Sequence, residues 1–87
     1  MLKSNATISA KTVNKTETVE LKGWIDARFE NMSKLNVFIF NREYEPGEIF
    51  FAGVADRPVF GNVEVRFAPG ETKPLVLVTF GVEKDCN

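Results

Sequence analysis

Glu17-Thr18-Val19-Glu20-Leu21-Lys22-Gly23-Trp24-Ile25-Asp26-Ala27-Arg28-Phe29-Glu30 carries the clearest structural signal in the chain. Val19, Leu21, Gly23, Ile25, Ala27 and Phe29 fall on odd positions, while Glu20, Lys22, Asp26, Arg28 and Glu30 fall on even ones. Successive side chains leave a strand on opposite sides, so this alternation predicts a strand with one face buried and the other in water. Trp24 breaks the pattern. It falls among the charged set, which predicts an indole on the solvent face between Lys22 and Asp26, with Arg28 further along. Gly23 has no side chain to pack and predicts a bulge or bend. A helix competes for the second half: Ile25, Phe29 and Met32 are spaced i, i+4, i+7, which would give one short helix over 26–34.

Outward from this stretch, further strands follow. Residues 7–13 are β-branched and bounded by polar residues. Residues 35–40 (LNVFIF) and 75–80 (LVLVTF) are nearly continuous apolar runs, expected to be buried on both faces or central in a sheet. Residues 48–54 form another strand, and 62–67 alternate cleanly. Turns are expected at Glu45-Pro46-Gly47, Arg57-Pro58, Phe60-Gly61-Asn62 and Pro69-Gly70. Pro-Gly suits a type II turn because Pro presets the first corner and Gly accepts positive φ at the second. The expectation is an all-β fold of five or six strands, either a small OB-like barrel or an immunoglobulin-like β-sandwich.

The chain of 87 residues fits a single domain over 1–87, with frayed ends at 1–5 and 84–87. Eleven basic and twelve acidic residues leave a net charge of -1, which exerts no long-range pull on a polyanion. The lone cysteine, Cys86, permits no internal disulfide and points to a reducing, cytoplasmic setting with Cys86 in a frayed tail. No apolar run approaches the length of a membrane span, and residues 1–5 lack the apolar core of a signal peptide. The N-x-S/T sequons at Asn5, Asn14 and Asn31 are therefore read as chance.

Catalytic equipment is sparse. The sequence has no histidine, the commonest general base and metal ligand. Ser4, Ser9 and Ser33 lie outside any nucleophile-elbow context, and no zinc spacing or phosphate loop occurs. Glu43, Glu45 and Glu48 cluster around Tyr44 and Pro46, but a calcium site wants about six or more oxygen ligands, and a solvated turn explains them. The expectation is a non-enzyme without cofactor or metal.

A solvent-facing Trp24 flanked by Lys22 and Arg28 is equipment for stacking on a base while cations meet phosphates. Arg42 and Tyr44 share a strand face, and Arg57 lies near Phe60. Single-stranded nucleic-acid binding is the first functional expectation. A protein–protein interaction module, using Trp24, exposed Phe and strand edges, is the alternative, and the near-neutral charge favours it. Homodimerisation through an apolar edge or face fits either.

Two short resemblances bear on this. Tyr44-Glu45-Pro46-Gly47-Glu48-Ile49 and the later Phe60-Gly61-Asn62-Val63-Glu64-Val65, together with residues 19–26, are similar to motifs of the small single-stranded-DNA-binding proteins of filamentous bacteriophages. Those are dimeric OB-like barrels, and the resemblance spans about 19–67. It implies a small viral or plasmid-type protein, with Trp24, Tyr44 and Phe60 as stacking residues and Lys22, Arg28 and Arg57 on phosphates. The chain departs from that family in carrying only a short polar turn over 13–18 where the family has a long basic wing, and in its tail from Ala68 onward. Separately, Val63-Glu64-Val65-Arg66-Phe67-Ala68-Pro69-Gly70-Glu71-Thr72-Lys73 is similar to the APGET-type hairpin of immunoglobulin-like accessory domains, which implies an adhesive or structural role.

Overall fold

β-branched and aromatic residues pack well on a pleated surface, and they dominate the strands that form. The computed structural model describes residues 5–53 and 57–84. Among these lie seven strands and no helix: β1 (Asn5–Val13), β2 (Glu17–Asn31), β3 (Val37–Ile39), β4 (Arg42–Tyr44), β5 (Ile49–Phe51), β6 (Val59–Phe67) and β7 (Val76–Lys84). They pair antiparallel in one sheet of order β1-β7-β2-β6-β3-β4, with β5 paired to β2. The all-β class is as the sequence implied, and the form is that of a small barrel or sandwich. The described residues extend 49 × 19 × 19 Å.

Several expectations are corrected. No helix forms over 26–34. Cross-strand partners win the backbone there: the Asn31 N–H donates to Glu48 O at 3.0 Å and the Met32 N–H to Leu75 O at 2.9 Å. The run 35–40 is not buried throughout. Only Val37 and Ile39 are sealed, and Leu35 and Phe40 are exposed. Seven strands replace five or six because the chain reverses at Phe40-Asn41 and makes β4. Phe60-Gly61-Asn62, read as a turn, runs through β6 opposite β2. Asn5 pairs with Lys84 at the end of the β1–β7 ladder. Cys86 and the rest of both termini lie outside the described residues. Gly47 (φ 89°) and Gly70 (φ 92°) occupy the positive-φ corners expected of the two Pro-Gly turns.

β2 organises the molecule. Residues 17–24 pair with β6, residues 24–31 with β7, and residues 28–30 with β5 on the other edge. The register shifts twice, between Lys22 and Trp24 against β6 and between Ile25 and Arg28 against β7. Gly23 (φ 74°) and Asp26 (φ 53°) sit in these shifts with left-handed backbone, the mark of bulges that add a residue and reverse which face follows. Val19 and Leu21 point inward, then Trp24, then Ala27, Phe29 and Asn31. The first bulge flips the alternation and the second flips it back.

The core is one cluster to which both stretches contribute: Val19, Leu21, Val37, Ile39, Val63 and Val65 around β6, and Val13, Ala27, Phe29, Val76 and Val78 around β7. Trp24 joins them. At the C-terminal end of β2 a polar knot closes the fold. Asn31 Nδ2 donates to Leu35 O and Tyr44 O, both at 3.0 Å, and Asn31 Oδ1 accepts the Ser33 N–H at 2.8 Å. Ser33 Oγ accepts the Leu75 N–H at 2.8 Å. The Glu71 carboxylate accepts the N–H groups of Leu35 (2.8 Å) and Lys73 (2.9 Å), tying the β2–β3 loop to the β6–β7 loop.

Candidate functional site: an aromatic groove

Three phenylalanines, of a residue type most often buried, are instead exposed: Phe40 at 57%, Phe51 at 63% and Phe60 at 75% exposure. With half-buried Phe50 they line a groove of ≈ 460 Å³, floored by Leu21 and Val63 and bounded by Ala52 and Val59. The rings are organised around Phe50. It lies 5.7 Å from Phe40 in a stacked arrangement, 5.9 Å from Tyr44 edge-on, and 5.9 Å from core Phe29.

Each ring is held by a specific local device. Phe40 and Asn41 form the two-residue loop of the β3–β4 hairpin, where Ile39 pairs with Arg42. Both loop residues have positive φ, 55° and 65°, which is the backbone of a type I′ turn and matches the twist of the flanking strands. Asn suits such a corner, whereas a bulky aromatic there is uncommon and strained by about 1–3 kcal/mol. The fold holds Phe40 by donating its N–H to Glu64 O at 2.9 Å. Phe51 ends β5, whose short pairing with β2 continues in the Ala52 N–H to Ala27 O bond at 2.8 Å. Gly53 follows in backbone contact with the second bulge: a Cβ on Gly53 would lie 2.4 Å from Asp26 Cα. Phe60 pairs with Lys22 across the β2–β6 ladder, and its ring covers Gly23, whose Cβ would come within 3.1 Å of Phe60 Cζ.

The six residues singled out in the sequence separate into distinct places. Trp24 is the correction that matters most. Its ring is sealed, 8% exposed, and stacks on Phe80 with centroids 3.6 Å apart and planes 8° apart. The physical reason is the Gly23 bulge, which turns residue 24 to the core face. Phe60 is in solvent as a stacking residue would need to be. Lys22 is exposed beside it. Arg28 is exposed, with its guanidinium 5.5 Å from the centroid of the Phe51 ring. Tyr44 is half-buried against Phe50, a supporting ring rather than a free one. Arg57 is exposed at the start of the segment leading into β6.

Phe40, Phe50 and Phe51 were not among the sequence candidates. Adjacent Phe50-Phe51 was a usable signal, since neighbouring strand residues face opposite ways and one of two rings must leave the core. Phe40 could be found only with the hairpin register in hand. Two of the acidic trio accept local hydrogen bonds: Glu43 from Asn36 Nδ2 across the β3–β4 hairpin at 2.8 Å, and Glu48 Oε1 from the Glu45 N–H across the turn at 2.7 Å. No group of three or more potential metal ligands occurs among the described residues. No helix of the described chain is long and apolar enough to cross a membrane.

Comparison with protein-family models gives no match, and searches of curated proteins and of solved structures give none either.

Proposed function

We propose that this domain is a non-catalytic protein-binding module that seats apolar side chains of a partner in the groove of Phe40, Phe50, Phe51 and Phe60. The observation that carries this reading is Phe40, a bulky ring kept at a strained turn corner and presented to water. Backbone strain of this kind persists where the surroundings impose it, and it clusters at ligand clamps. Exposed aromatics around a pocket are the usual anchors of protein interfaces. The near-neutral net charge suits a protein partner better than a polyanion.

A second reading, single-stranded nucleic-acid binding, draws on Lys22 opposite Phe60 and Arg28 over Phe51, two rings each with a cation beside them. It has lost Trp24 as its anchor.

Panning a random peptide library on the domain separates the two. The expected result is enrichment of peptides with a large aliphatic or aromatic anchor, whose binding is lost on Phe51→Ser and on Phe40→Gly. Phe40→Gly relieves the positive φ, so it leaves stability unchanged or raises it by about 1 kcal/mol. Peptides that bind both variants as well as the parent would overturn the groove reading. Salt-sensitive binding of oligo-dT, lost on Phe60→Ala and Lys22→Ala, would replace it with the nucleic-acid reading.

A further inference from the structure

Besides the groove, the molecule offers a second unsatisfied surface, at the outer edge of β1. All nine residues of β1 pair with β7 on one side, and nothing among the described residues pairs on the other. Natural sheets blunt such edges with short strands, prolines, bulges or charge. β4 and β5 are three residues each, and β4 carries Arg42 and Glu43. β1 has neither proline nor bulge and a single charge, Lys11. Beside the edge stands Ile8, 86% exposed, the barest large apolar side chain described. Ile8 pairs with Gly81, and with Ile25 it borders a shallow notch of ≈ 400 Å³ on the outer face of the sheet.

From this geometry we infer that β1 is a self-pairing edge, whose occupant is β1 of a second copy of this chain, antiparallel about a two-fold axis at Ser9. Ser9 is the midpoint of Asn5–Val13, so this register uses every residue of both edges. It is also free of like-charge opposition. Lys11 faces Thr7 of the second copy, whereas an axis at Lys11 would set the two lysines against each other. The large Ile8 falls opposite the small Ala10 of the second copy, twice by symmetry, and the two Ile8 side chains become diagonal neighbours on one face. The product is a continuous sheet across the dimer that removes both long edges and covers Ile8.

Two measurements test this, both in a Cys86→Ser background. Sedimentation is expected to show a monomer–dimer equilibrium, and Ile8→Lys to raise its dissociation constant about tenfold or more while the far-ultraviolet spectrum stays unchanged. Under mild oxidation Ser9→Cys is expected to give a disulfide-linked dimer, because the two-fold sets residue 9 against itself, whereas Thr12→Cys is expected to form no disulfide cross-link, because residue 12 faces residue 6 of the second copy. The Cys variants keep the test decisive even if Ile8→Lys perturbs folding. A concentration-independent monomer, or cross-linking at residue 12 as readily as at residue 9, would overturn the inference.

Discussion

The two stretches of β2 obey the same rule and give opposite lessons. Over 17–22 the side chains alternate in and out as written, with Val19 and Leu21 buried and Glu20 and Lys22 in water. Over 24–31 the alternation also holds locally, but it begins on the other face and is then corrected. Gly23 lies between the two stretches and Asp26 within the second, both left-handed. An amphipathic pattern therefore establishes that a segment is a strand. It establishes which way a given residue points only as far as the next bulge. Trp24, whose position suggested a ligand-binding ring, lies at the bend, where the strand passes from β6 to β7. Its indole joins the two parts of the core there instead of meeting a ligand.

The sharpest way to break this contrast is Trp24→Ala. Truncating a sealed aromatic costs about 3–5 kcal/mol, and the lost stacking on Phe80 is part of that. Lys22→Ala, two residues away on the solvent face, is expected to stay within about 0.5 kcal/mol. Denaturant titration of both variants reads the difference directly. An intermediate effect is expected at the second bulge. Gly53→Ala drives a methyl group into the Asp26 and Ala27 backbone, so overpacking of about 1–3 kcal/mol follows, read as a lower denaturation midpoint. The smallest effect concerns the polar knot that anchors only the C-terminal stretch. Partial desolvation pushes the Glu71 carboxyl upward, but N–H donors from Lys73, Leu35, Lys34 and Thr72 outweigh it and hold the pKa below the ordinary 4.5. A depressed folded value means this contribution is full above the unfolded pKa and lost as pH falls through the folded one. Glu71→Gln is therefore expected to flatten the acid limb of the stability profile below about pH 4.5 and to leave its slope at neutral pH unchanged.

Much of the fold was legible in the sequence because strand period, apolar runs and Pro-Gly turns are local. The buried faces of 17–22 and 63–67 could be read residue by residue, and the apolar run 75–80 gave a strand inside the sheet without saying which of its residues face the core. What could not be read depends on pairing between distant segments. Asp26 is an ordinary charged residue until Gly53 packs its backbone against it, and only then does it mark a bulge. Phe40 ends an apolar run in the sequence. It becomes an exposed turn corner only because Ile39 pairs with Arg42. The candidate site was legible in part: Phe60, Lys22 and Arg28 stand in solvent as expected, and adjacent Phe50-Phe51 signalled that one ring must leave the core, while the approach of Phe40 to Phe50 is a tertiary contact that no spacing encodes.

The central claim is that the Gly23 bulge turns the single tryptophan of the chain into the core and leaves the phenylalanines of the groove as the exposed aromatic surface. Iodide quenching of Trp24 fluorescence tests it without a partner or a variant. Emission at shorter wavelength than that of free tryptophan, barely quenched until the protein is denatured, is the predicted result. Emission and quenching like those of free tryptophan in the folded protein would contradict it.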